Sequence, residues 1–378
     1  MSERKAVFIH SEELEQYSYP ADCPFKTERA ARTRKTLYGM GLLSGDGISE
    51  APPVSATRPT LKKFHSARYL HAMKNAEKGQ WELDALRMGL GTPDCPIFCG
   101  MYDYAALAAG ATLLGAEMIL SGSAHVAFNP SGGYHHAFPE KAAGFCYIND
   151  NALACMTLAE AGKRVLYLDV DVHNGDGVAH AFYGRSDVMT ISLHENPALL
   201  FPGTGFEHEI GEGQGRGYCV NLPLPAGTFD QAYMHAFESL VPPLIGAFDP
   251  DVIVFELGTD TLAGDPLAHL YLTNNTYVEI INRLLRFDKP ILATGGGGYN
   301  VENTVRAWAL AWTVLSGQEL DQGMEAALGG VMLESTDWQG GLRDREMPVT
   351  NQQRETVLPA LERSIETIKA NVLPLHGL

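Results

Sequence analysis

A chain of 378 residues, 45% hydrophobic and 19% charged, is long enough for one large α/β domain or two smaller ones, and it carries no polar tract that would stay unfolded. Its net charge of −17, from 45 acids against 28 bases, disfavours nucleic acid as a direct ligand and is compatible with cationic substrates. Six cysteines (Cys23, Cys95, Cys99, Cys146, Cys155 and Cys219) include no CxxC pair, which argues against a thiolate zinc site, and the sequence offers neither a membrane-length apolar run nor a signal-peptide core, so a cytoplasmic protein without a membrane partner is expected.

In chain order, AVFI at 6–9 predicts a first strand. Helix formers fill 26–43, where Arg29, Arg32, Arg34 and Lys35 are expected on a solvated face. A loop spans 44–57, Pro59 suits the first turn of a short helix, and Ser66 is placed to cap a helix over 67–78. The stretch 79–100 is irregular, with Pro93 and Pro96 stiffening the chain around Asp94. An Ala-rich helix at 102–120 precedes strands at 125–128, 164–172, 188–193, 251–257 and 290–293. Helices alternate with them, capped by Asn149 or Asp150, by Asp230 and by Asn300. This alternation predicts a parallel sheet covered on both faces in one domain over 1–378, with a helical extension over 318–378.

Chemistry collects after the predicted strands, where doubly wound sheets bind ligands. In VLYLDVDVHNGDG, Asp169, Asp171 and His173 fall on alternate positions and would share one face of an extended strand. Buried carboxylates are costly unless paired or bound to a cation. Asp171, His173 and, from a later strand end, Asp260 supply three ligands and leave a position open, the pattern of a catalytic zinc site that also suits ferrous iron. Asp169 and Asp176 are left as acceptors for the adjacent pair His135 and His136, whose flanking Gly132, Gly133 and Gly144 permit close backbone approach. The run Gly295–Gly298 lacks GxGxxG spacing and a P-loop lysine, so it suits a hinge carrying the phenol of Tyr299 better than a phosphate cradle.

The segments GGYHHAFPEKAAGFCYIND, LYLDVDVHNGDGVAHAFY, ISLHENPALLFPGTG, LGTDTLAGDPL and GGGGYN, with FHSARYL and DCP, resemble the zinc-dependent histone deacetylase family over about 5–316, in its class I-like bacterial branch that includes the acetoin-utilisation deacetylases. The resemblance implies the arginase-deacetylase fold, an eight-stranded parallel sheet with helices on both faces. It implies zinc on Asp171, His173 and Asp260, and hydrolysis of an acyl-lysine protein or peptide by metal-activated water, with acetylpolyamine amidohydrolysis as the alternative. By the same resemblance His136 is general base and later acid, paired with Asp176; His135, paired with Asp169, assists electrostatically; and Tyr299 stabilises the oxyanion. Gly144, Phe145, Phe201 and Leu267 would line a lysine tunnel, Asp94 would grip substrate backbone, and a structural K+ would lie near Asp169, Asp171, His173, Ser192 and Leu193. Two departures stand out: Asn174 replaces a frequent second histidine, and Leu200 replaces a frequent aromatic, which would open the rim to longer acyl groups.

Overall fold

The computed structural model describes residues 5–80, 83–318 and 341–378. Eight parallel strands form one sheet: β1 Ala6–Ile9, β2 Ile48–Ala51, β3 Val126–Asn129, β4 Val165–Asp169, β5 Val188–Glu195, β6 Cys219–Leu224, β7 Val252–Glu256 and β8 Ile291–Thr294. Their spatial order is β2-β1-β3-β8-β7-β4-β5-β6. Strands buried on both faces must be apolar at consecutive positions, and VLYLD, VIVFE and ILAT satisfy this. The edge strands β2 and β6 were not anticipated: ISEA is half-exposed and polar, and CVNLPL carries Asn221 and Pro223.

One face is covered by α2 Arg58–Leu61, α3 Ala67–Ala76, α4 Leu83–Arg87, α5 Met101–Leu120, α6 Asp150–Glu160 and α7 Asp176–Phe182; the other by α1 Glu28–Gly39, α8 Asp230–Phe248, α9 Asn274–Leu285, α10 Val301–Ser316 and α11 Asn351–Asn371. Among the described residues α5 alone has the length and hydropathy to cross a membrane, and most of it is buried inside the fold. Ser66, Asn149 and Asn300 accept the capping bonds expected of them, and Thr57, unanticipated, caps the short helix that begins at Arg58. Asp230 does not cap α8; its carboxylate instead accepts from Thr273 N, Thr273 Oγ1 and Thr276 Oγ1, tying α8 to α9. In the C-terminal extension, expectations over 319–340 fall outside the described residues. The helix α11 lies against α8 and β6 and buries Val357, Leu361, Ile365 and Ile368 in the core that holds Trp308 and Trp312. Leu361 has no exposed surface, so Leu361→Ala is expected to cost about 2–5 kcal/mol, read as a lower denaturant midpoint at unchanged slope.

Candidate active site

The strand β4 ends at Asp169, before the two candidate metal ligands that follow it in sequence. Asp169 Oδ1 accepts Asp171 N at 3.0 Å and Asp171 Oδ1 accepts His173 N at 2.9 Å. The alternating polar residues thus belong to two successive side-chain-to-backbone turns rather than to strand pleat, which corrects the expected strand over 164–172. The turns aim Asp171 and His173 inward, and the segment after β7 brings Asp260 to meet them. His173 Nδ1 lies 3.1 Å from Asp171 Oδ1 and 3.1 Å from Asp260 Oδ2.

All three side chains are buried. Burial opposes charge on His173, but its hydrogen bonds to the Asp171 and Asp260 carboxylates outweigh that and raise the imidazole to about 10. Burial, reinforced by the charge of Asp171, raises Asp260 to about 7. Asp171, by contrast, stays well below the usual carboxylate range: burial opposes its charge, but the neighbouring His135 and His173 outweigh that. An ionised acid beside an acid and an imidazole that hold protons firmly in a dry cluster fit a divalent cation, which would replace those protons with charge of its own. The donor set is nitrogen and oxygen without sulfur, as zinc and ferrous iron accept.

The histidine pair stands beside this cluster. His135 Nδ1 lies 2.9 Å from Asp169 Oδ2, His136 Nδ1 lies 2.7 Å from Asp176 Oδ1, and the two Nε2 atoms are 2.9 Å apart. These partners separate the protonation states. Burial lowers the His135 imidazole, but the charges of Asp169 and Asp171 outweigh it and hold the group well above its ordinary value. Burial and the neighbouring His135 charge lower His136 to about 4, against the opposing pull of Asp176. The loop holding the pair is itself fixed. Asp150, at the start of α6, accepts Tyr134 N at 2.8 Å and Gly133 N at 3.0 Å, while Asn149 Nδ2 donates to the carbonyls of His135 and Ala137 at 3.1 and 3.0 Å.

Aromatic rings surround the approach to His173. Its ring centroid is 5.8 Å from that of His136, 6.2 Å from Phe201 and 6.3 Å from Tyr299, and Phe145 stands 5.6 Å from Tyr299. Gly144 passes between them at φ +54°, where a side chain would strike His136 and come within 2.9 Å of Phe201. Gly144→Ala is therefore expected to lower Tm and cut kcat/KM by at least about tenfold, measured by thermal melts and steady-state kinetics. Asp94 Oδ2 accepts Gly144 N at 3.0 Å, and Leu267 sits half-buried on the loop after Asp260. The β4–β5 register sets Asp169 beside Ser192, with Leu193 next in β5. Asn174 Nδ2 donates to Asn221 Oδ1 at 2.9 Å, joining the metal-ligand turn to β6. Leu200 is half-buried against the core, beside the exposed Leu199 and Phe201.

Two residues at the site are not among the candidates read from the sequence. Arg29, expected on a solvated face, is buried between Phe25 and Trp308 and donates to Gly298 O at 2.7 Å and Gly296 O at 2.9 Å. Glu256, at the end of β7, is fully buried; one carboxylate oxygen is held by Asn151 and Thr294, and the other lies 3.7 Å from His135 Nδ1. Nothing in helix or strand periodicity flags either position.

A parallel α/β sheet whose strand ends converge on two aspartates, a histidine and a paired imidazole has the makings of a metal-assisted hydrolase. The profile of the histone deacetylase domain matches residues 23–315. The chain belongs to the histone deacetylase family and is a deacetylase with that family's eight-stranded fold. It is 39% identical to histone deacetylase 8 of Xenopus tropicalis over 316 residues, 83% of this chain and 85% of the relative. It is 38% identical to the acetoin utilization protein AcuC of Bacillus subtilis over 330 residues, 85% and 84% of the two chains. The crystal structure of a histone deacetylase homologue from Aquifex aeolicus superposes with a TM-score of 0.84 at 32% identity, covering 96% of this chain and 100% of that one. These relatives do not favour the acetylpolyamine alternative.

Proposed function

We propose that the chain hydrolyses the side-chain amide of Nε-acetyl-lysine, or of a longer acyl-lysine, in proteins or peptides. The observation that supports it most directly is the neutral His136 imidazole, paired with Asp176 and set against a cluster of metal donors. Asp171, His173 and Asp260 would hold zinc, with ferrous iron accepted by the same set. When bound, such a cation supplies Lewis acidity toward the amide carbonyl and toward water.

The chain's own residues do the rest. His136 takes a proton from the attacking water at Nε2, and Asp176 steadies the charge that forms on the ring. His136 then returns that proton to the departing lysine nitrogen as the carbon–nitrogen bond breaks. His135, held by Asp169, sets positive charge beside the developing oxyanion, and Tyr299 donates to the same oxygen. Gly144, Phe145, Phe201 and Leu267 wall the lysine chain, and Asp94 receives the substrate backbone. A K+ bound near Asp169, Asp171, His173, Ser192 and Leu193 would stiffen the turn beneath the donors.

The test is turnover of acetyl-lysine peptides, longer acyl-lysine peptides and acetylspermidine, each with and without chelator. Peptide substrates are expected to be turned over and chelation to stop the reaction; a preference for acetylspermidine would overturn the substrate assignment. Tyr299→Phe is expected to lower kcat about 100- to 1000-fold with smaller change in KM, as one oxyanion donor is removed.

A further inference from the structure

Tyr299 follows four consecutive glycines, Gly295 to Gly298, in the passage from β8 to α10. Such a run has no side chains to pack and the greatest backbone freedom of any residue type. Gly298 sits at φ +128°, and a side chain there would strike Thr259 and Thr304. The segment is therefore held from outside. Arg29 binds the carbonyls of Gly296 and Gly298, and Asp171 Oδ2 accepts Gly297 N at 2.6 Å. A further support reaches Tyr299 itself: Asp265 Oδ2 accepts Tyr299 N at 2.7 Å. The second oxygen of the same carboxylate, Oδ1, accepts Leu267 N at 2.9 Å.

Asp265 is 8% exposed and lies on the loop after β7 that also carries Asp260. One buried carboxylate thus fastens the backbone of the tyrosine to the backbone of a rim residue through its two oxygens. The phenol oxygen is the far end of a long side chain. A tilt of about 10° at its backbone carries that oxygen on the order of 1 Å, enough to cost about 100-fold when orientation matters.

We propose that Asp265 is a positioning residue: it sets where the Tyr299 hydroxyl stands by gripping its backbone, and ties that position to Leu267 at the rim. The inference rests on the role given above to Tyr299. Asp265→Asn keeps the size but turns one acceptor into an amide NH2 donor that faces a backbone N–H. It is expected to lower kcat about 10- to 100-fold, to change KM far less and to leave bound metal unchanged.

A double-mutant cycle with Tyr299→Phe separates positioning from general damage. If Asp265 acts through the phenol, Asp265→Asn costs less than about threefold once the hydroxyl is gone. The same factor lost in both backgrounds would overturn the proposal, as would a kcat within about threefold of wild type for Asp265→Asn alone. Asp265→Glu, which keeps both acceptors but displaces them, is measured by the same cycle if the asparagine variant does not fold. Failure of both to fold assigns Asp265 to the scaffold and also overturns the proposal. Full activity in Tyr299→Phe alone would instead remove the oxyanion role, so the two failures read differently.

Discussion

Replacing His136 by alanine is expected to lower kcat by about 10²- to 10⁴-fold while leaving the metal in place. The reason is separation of duties. His136 is bonded to Asp176 and His135 and makes none of the 3.1 Å contacts that gather the metal donors around His173 Nδ1. Its loss removes the group that carries the proton from water to the leaving amine, and leaves the donor cluster intact. Steady-state kinetics on an acetyl-lysine peptide, alongside metal analysis of the same preparation, checks both halves. Near-normal turnover would refute the assignment; lost metal would show that the pair supports the donors as well. Asp176→Asn should follow in the same direction with a smaller loss, since the base remains but loses the anion that steadies its charge.

Asp260→Ala has the opposite signature. Metal content falls first, and activity disappears with it, because Asp171 and His173 alone leave a dication short of both charge and ligands. Acid should mimic the substitution. In the metal-free protein His173 keeps its proton up to about 10 and Asp260 up to about 7, so metal binding near neutrality displaces protons from both. Apparent metal affinity therefore falls as pH drops below about 7 and rises above it, measurable by competition against a chelator. An affinity that stays flat across that range would mean that the donors are not these residues.

The parts of the fold that were legible in the sequence are those that bury apolar surface on both sides. Strands such as VIVFE and helices such as α10, with Trp308 and Trp312 on one stripe, declare themselves by composition and period. The edge strands β2 and β6 do not, because an edge needs no continuous apolar run. At the site, the histidine pair, the donor cluster and the tyrosine were all nameable as residue types at strand ends. Their local geometry was not: the Asp169-Asp171-His173 spacing imitates strand pleat, whereas side-chain oxygens capture the backbone and end β4 two residues before Asp171. Arg29 escaped for a related reason. Its partners are carbonyls more than 260 positions away, and a guanidinium that binds backbone leaves no trace in the pattern of neighbouring side chains.

The helix α11 sets the practical size of this enzyme. The family profile ends at residue 315, yet Val357, Leu361, Ile365 and Ile368 are embedded in the same apolar mass as the tryptophans of α10. A chain trimmed to the profile would leave the matching surface of α8 and β6 wet, and greasy surface beside an edge strand invites self-association. The smallest portable catalytic unit is thus longer than the segment by which its relatives are recognised, and designs that borrow this scaffold need its C-terminal helix.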